Sequence, residues 1–410
     1  MNRDLIWLAL ALFTWGTGEG MFLYFQPIYL QRLGADPLGV GAILGAGGIA
    51  MTISLVPAGY LSDRWGRRPM IWLAWMVGLG AAWVMALARS LPLFVAGLLL
   101  YSTTLFVSAP LSSYASSARG AWSVGRALTI ISASFSAGTI LGPLLGGIIG
   151  ERLGIQAIYQ IAASIFVVSI LFVFFIHPQP VQPHPEGGPL RLLSSKPFTA
   201  LLAISFLTIF TLYLPQPLTP NYLQNIHGLP LTQIGVLGSA ASLGNVIFLL
   251  ALGGVKSSLG VVLGQASVGV FALLLWRGSG LPWFAAGYFF LGGFRAVKTM
   301  FSALARPLVH SAETGLAFGL VDTVNSLPVV LAPPLAGWLY HVQPDLVYPI
   351  GLALILVNLY IRLRGQASEC PARARAWISL RRVGWLIAHA LESLYGIMPV
   401  VLRRAVPLLS

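Results

Sequence analysis

Long apolar runs separated by short polar breaks are the dominant pattern of this chain. The runs cover 5–30, 38–61, 70–87, 91–114, 127–149 and 155–176. After a longer break they resume at 198–222, 231–253, 259–275, 281–304, 315–340 and 346–361. Most reach or approach the ~20 residues a helix needs to cross the ~30 Å hydrocarbon core of a bilayer. Helix is the element they predict, because lipid offers no water to satisfy backbone N–H and C=O groups. The pattern therefore predicts twelve membrane-spanning helices. The first run follows Met1-Asn2-Arg3 much as in a secretory leader. It continues through Glu19 to Leu30 without a small-residue cleavage signal, so it reads as a retained first span.

The breaks carry the orientation. Eighteen Lys and Arg fall in loops on the N-terminal side or in the tail, against Arg32, Arg89, Arg152 and Arg277 on the other side. Positive charge in short loops is retained in the cytoplasm, so both termini are expected there, in an inner or plasma membrane. Residues 177–197, rich in proline with paired glycines, read as an extended cytoplasmic linker between bundles at 1–176 and 198–363. In the tail, 364–410, Trp377, Leu380, Gly384, Ile387, Leu391 and Leu394 recur at helical spacing beside Arg373, Arg375, Arg381 and Arg382. That suits an amphipathic helix lying on the membrane, with anionic lipid as its partner.

Composition agrees: 57% of residues are hydrophobic and 9% charged, where soluble domains carry about 25% charged. The +13 balance would suit a nucleic-acid binder, but its distribution over alternate loops and tail argues for a membrane and no nucleic-acid partner. One cysteine, Cys370, excludes an internal disulfide and an all-cysteine metal site. No GxxxxGK[ST] loop is present, so direct ATP drive is not expected. The histidines are scattered away from any nucleophile; neither an enzyme nor a cofactor is expected.

The two halves repeat each other. Leu91-Pro92-x-Phe94-x-Ala96-Gly97 returns as Leu281-Pro282-x-Phe284-x-Ala286-Gly287, and the same offset of 190 carries Ser112 to Ser302 and Pro143 to Pro333. Pro27-x-Tyr29-Leu30-Gln31 returns as Pro220-x-Tyr222-Leu223-Gln224, and an offset of 194 carries Gly41, Gly59 and Gly66 to Gly235, Gly253 and Gly260. Two six-helix bundles, the same way up and related by an axis along the membrane normal, account for this.

Between the second and third runs stands Gly59-Tyr60-Leu61-Ser62-Asp63-Arg64-Trp65-Gly66-Arg67-Arg68-Pro69, a tight turn at a membrane surface. Gly66 permits a turn conformation, Pro69 suits a first helical turn, and Asp63 can accept from an arginine or a helix N-terminus. This stretch resembles the signature loop of the major facilitator superfamily. The resemblance implies a latch in which Asp63, with Gly59, Arg64, Gly66 and Arg67, packs on the cytoplasmic end of the eleventh helix. Arg119 and Arg126 are both open as charge partners of Asp63. The second copy of the loop is decayed, with Ser257 for Asp63 and Val261 for Arg67, so the latch is one-sided. In the fifth span, Gly138-x-x-x-Gly142-Pro143-x-x-Gly146-Gly147 offers close backbone packing and a bend. It resembles the proline–glycine signature of the superfamily's proton antiporters, especially drug exporters. The arginine such exporters carry in the fourth helix is missing from 99–106.

Glu19, Arg295, Lys298 and Asp322 lie inside spans, where a charge costs ~2.5–3.5 kcal/mol or more and marks function. Gly16, Gly18 and Gly20 around Glu19 read as leaving open space. Burial and a nearby base would pull the proton affinity of Glu19 in opposite directions, as a proton carrier needs. Glu19 or Asp322 is the expected proton and substrate group, and Arg295 with Lys298 an expected receptor for anions. The alternative is that two acids and two bases merely neutralise each other. By resemblance, the first, fourth, seventh and tenth helices line a central cavity completed by Trp15, Phe22, Gln26, Tyr101, Thr104, Ser108, Thr211, Tyr213, Gln216 and Asn325. Pro215 and Pro217 break the seventh helix.

The expected fold is an all-α, twelve-helix major facilitator protein acting as a monomer by alternating access. The expected function is proton-coupled export of amphipathic or drug-like small molecules. Uptake or exchange of a small organic anion or nutrient through Arg295 and Lys298 is a second reading. A non-transporting sensor or lipid-handling protein is a third.

Overall fold

In the computed structural model, residues 3–120, 122–179, 195–309 and 314–368 are described, apart from the side chains of 56–64, 109, 124, 125, 314–316 and 363–368. The expectations for most of the linker, for the tail with Cys370, and for Gly59, Asp63 and Arg64 as side chains lie outside these residues.

The N-terminal bundle comprises α1 (Arg3–Leu23), α2 (Gln26–Arg32), α3 (Pro37–Trp65), α4 (Arg67–Leu87), α5 (Leu91–Thr103), α6 (Ser108–Ser117), α7 (Val124–Leu153) and α8 (Ile155–Phe174). The C-terminal bundle comprises α9 (Lys196–Tyr213), α10 (Thr219–Asn225), α11 (Leu231–Gly253), α12 (Ser257–Arg277), α13 (Leu281–Leu291), α14 (Gly293–Ala305), α15 (Thr314–Val342) and α16 (Val347–Ser368). Among the described residues, ten helices are long and apolar enough to cross a membrane, and Val347–Arg362 is a shorter apolar helix. The remaining expected span is the consecutive pair α13–α14, interrupted at Gly292.

The interruptions repeat between the halves. The first span of each bundle breaks, α1 from α2 at Tyr24–Phe25 and α9 from α10 at 214–218 around Pro215 and Pro217. The fourth breaks too, α5 from α6 through the 3₁₀ turn Thr104–Val107 and α13 from α14 at Gly292. Proline removes a helical N–H and forces the α9–α10 break. The turn before α4 is set by Gly66, whose φ of +88° favours glycine.

Close packing comes from small residues. A Cβ on Gly138, Gly142 or Gly146 of α7 would meet the α1 backbone at Phe13, Thr17 or Met21, so the two helices touch backbone to backbone. Gly16 and Gly20 on α1 complete that contact against Phe135 and Pro143, and Gly18 packs on Phe166 of α8. The open space expected around Glu19 is therefore wrong: glycine there admits neighbours, not water.

The bundles meet along two seams. On one, Gly41 and Gly45 of α3 pack on 330–337 of α15; on the other, Gly147 of α7 packs on Leu231 and Gly235 of α11. Both seams belong to the membrane face opposite the N-terminus, called here the far face; the N-terminal side is the N-face. Short hydrogen bonds reinforce the closure: Asn221 Nδ2 donates to Gln31 Oε1 at 2.6 Å, and Ser239 Oγ donates to the Ile140 carbonyl at 2.6 Å.

On the N-face, Arg67 bonds to Ser117 and reaches the Ser113 carbonyl and Gln179 Oε1 at 3.4 Å. It therefore ties α4 to α6 within its own bundle in this far-face-closed state. The side chains of Asp63 and of the N-face end of α15, between which the latch is expected in the outward-open state, lie outside the described residues. Arg126 stacks on Trp122 at 4.6 Å and Arg119 is exposed. Asp4 pairs with His177 Nδ1 at 2.7 Å, and the Tyr114 hydroxyl donates to Asp4 Oδ2 at 3.1 Å. This joins the start of the first span to the end of the sixth.

Candidate functional site

Between the bundles lies a cavity of about 280 Å³. Its polar wall is Tyr24, Gln26, Tyr213, Gln216, Asn245 and Arg295, and its aromatic wall includes Phe271, Tyr288 and Phe294. The helix breaks shape it, since 23–27, 213–220 and 291–295 all contribute lining residues. Of the residues expected from sequence, Gln26, Tyr213, Gln216 and Arg295 meet here. Two missed ones, Tyr24 and Asn245, join them.

Tyr24 deserves its place through position. It stands at the α1–α2 break, crosses the bundle boundary to touch the backbone side of Gly238 on α11, and lies 6.2 Å from Tyr288 ring to ring. Nothing in the apolar pattern marks it. The only local signal is Pro27, which fits the first turn of a new helix and so implies a break just before it.

Glu19 sits on α1 deep in the membrane, half-buried, and accepts a 2.9 Å hydrogen bond from the Tyr101 hydroxyl. Trp15, Tyr101 and Phe166 stand as near-parallel rings beside it, Trp15 and Phe166 only 4.0 Å apart. The charge of Arg295, from the other bundle, acts on Glu19. Arg295 itself is exposed to the cavity, and no carboxylate forms a contact ion pair with it among the described residues. A half-buried acid in one bundle and a cavity-lining base on the other thus lie within electrostatic reach without forming a contact ion pair, and Glu19 itself is not part of the cavity lining.

Lys298 lies one turn nearer the N-face on α14, opposite Asp322 of α15. Asp322 is exposed, Lys298 half-buried, and they interact through space without a contact ion pair. They form a second charged group, one turn along α14 from the cavity-lining Arg295.

Asn325 is not in that group, contrary to expectation. It is fully buried and bonded to Ser205 of α9 inside the C-terminal bundle. Three helical residues turn the side chain by roughly 60° from Asp322, enough here to take it from an exposed position to the core. Beside it, Gln265 Nε2 and Thr208 Oγ1 both donate to Asn358 Oδ1, at 2.7 and 3.2 Å. Phe22, Thr104 and Thr211 are likewise packing residues, all buried, while the equally buried Trp15 stays beside Glu19. The glycines of 138–147 act as a helix contact surface and Pro143 is carried inside the continuous α7.

Among the described residues no group of His, Cys, Asp and Glu could hold a metal ion. The chemistry available is reversible protonation and ion pairing next to an aromatic and amide-lined space.

The Major Facilitator Superfamily model matches residues 8–261 and 201–402. The multi-drug resistance efflux pump PmrA of Streptococcus pneumoniae serotype 4 is 29% identical over 220 residues, covering 49% of this chain and 52% of the pump. The multidrug resistance protein MdtG of Escherichia coli O1:K1 / APEC is 27% identical over 194 residues, covering 44% and 46% respectively. The chain thus spans about half the length of the curated relatives it matches. The crystal structure of the nucleoside transporter NupG superposes with a TM-score of 0.75 at 16% identity, covering 90% of this chain and 99% of that one, a likeness of fold. With a family model spanning both bundles, and a twice-broken helix pattern repeated between them, this chain belongs to the Major Facilitator Superfamily of membrane transporters.

Proposed function

We propose that the protein is a proton-coupled exporter of amphipathic small molecules, with the N-face in the cytoplasm. The observation that carries this is the Glu19 carboxylate, held by Tyr101 and facing the charge of Arg295 across the bundle boundary. An ionised Glu19 would be balanced by Arg295 or by a cationic amphipath in turn; a protonated one would release both. Aromatic rings around the cavity suit the apolar body of such a compound. The names of PmrA and MdtG, efflux pumps, point the same way. With the far-face seams closed, substrate would enter this state from the N-face.

The test is flux in proteoliposomes against a panel of fluorescent amphipathic cations, with and without a pH gradient. Gradient-driven accumulation supports the proposal; flux indifferent to the gradient overturns it. Tyr101→Phe should lower gradient-driven transport about tenfold or more, because a hydrogen bond to a charged group is worth about 1.5–3 kcal/mol. Transport by this variant at the parent rate would remove Tyr101 from the site.

A second reading is exchange of an organic anion on Arg295, favoured by a guanidinium that lines the cavity without a contact ion pair. In that case Arg295→Ala abolishes anion uptake measured with a labelled carboxylate. Under the export reading the same variant keeps cation transport and changes its pH profile.

A further inference from the structure

The far-face closure contains a device that the repeat makes legible. Helix α11 begins at Leu231 after Pro230, which has no side-chain oxygen to cap the first N–H groups. The bond comes instead from the other bundle: the Leu231 N–H donates to Glu151 Oε2 at 2.7 Å. Glu151 lies in the last turns of α7.

The matching helix of the N-terminal bundle is capped from within. Asp36 Oδ1 accepts the Gly39 N–H of α3 at 2.7 Å. Asp36 maps onto Pro230 by the offset of 194 that maps Gly41 onto Gly235. One repeat therefore keeps its own cap while the other takes one across the seam.

Charge placement makes the borrowed cap dependent on conformation. A carboxylate at the C-terminal end of α7 opposes that helix's own dipole, whereas the N-terminus of α11 attracts it. Glu151 is favourably placed only while α7 and α11 are together. Gly147, one turn earlier, packs on Leu231 and Thr232, so separating the bundles at this face must also pull Leu231 from Glu151.

We propose that Glu151 is a far-face latch, a positioning residue that holds this end shut by capping α11 in trans. It rests on the family's alternating access and not on the export reading or on Glu19. The neutral Gln31–Asn221 clasp closes the same face without charge.

The experiment separates latch from cap. Spin labels replace the exposed Arg89 and Arg277, one on each bundle at the far face, in the full chain with Cys370→Ser in nanodiscs. Pro230→Ser gives α11 a side-chain cap of its own, on the Thr232 or Gln233 N–H beside the one Glu151 takes, and serves as the reference. Adding Glu151→Ala to it should leave the melting temperature unchanged and raise the ratio of long to short label distances about tenfold. If the distances match those of Pro230→Ser alone, Glu151 is only a cap and the proposal fails. Because the serine caps α11 in cis, the paired variant carries the test even if Glu151→Ala alone does not fold.

Discussion

Glu19→Gln is expected to abolish uphill transport while leaving downhill movement of substrate. Glutamine keeps the shape and can still accept from Tyr101, whose hydroxyl lies 2.9 Å from the Glu19 carboxylate. What it loses is the exchangeable proton, and with it any switch in the charge facing Arg295. In proteoliposomes with an imposed pH gradient, substrate should equilibrate across the membrane without accumulating. Counterflow, which needs alternation but no proton, should persist. Uphill accumulation by this variant would exclude Glu19 as the coupling residue and turn attention to Asp322, exposed opposite Lys298.

The second large effect is on folding. Gly146→Val should prevent assembly of the N-terminal bundle or leave it unfolded at moderate temperature. Its new Cβ would collide with the Met21 carbonyl of α1, and a backbone group inside a helix contact cannot swing away. Overpacking of this kind costs typically 1–3 kcal/mol for one methylene-sized excess. A β-branched side chain against main chain exceeds it. Gly80, whose Cβ would meet nothing within contact range, is the control. Fluorescence-detected size exclusion of the two variants should show aggregation for Gly146→Val and a parent-like peak for Gly80→Val. Equal peaks would mean that the α1–α7 contact is looser than its glycines imply.

What the chain disclosed by itself follows from how membranes constrain sequence. Apolar runs and their twofold recurrence come straight from the need to satisfy every backbone group in lipid, so spans and bundles were readable. The glycine–proline motif was readable as a packing surface for the same reason. The glycines around Glu19 were misread, because a missing side chain looks the same beside a void as beside a neighbour. Asn325 was misassigned because a rotation of only about 60° between neighbouring positions on one helix face separates an exposed Asp322 from a buried Asn325. Tyr24 and Glu151 stayed invisible: both act across the bundle boundary, at distances no local spacing records. Tyr24 needs the break at 24–25 to reach Gly238, and Glu151 needs α11 to lack a cap.

The helix interruptions have one more consequence. Where the first span of each bundle and the fourth span of the C-terminal bundle come apart, peptide groups leave the ladder that would otherwise occupy them, and these stretches border the cavity. Part of the polarity offered to a guest molecule is therefore main chain. It persists whichever amino acid is substituted on the wall. A container lined this way tolerates mutation of its contents' neighbours and grips by shape and dipole more than by the identity of any one side chain.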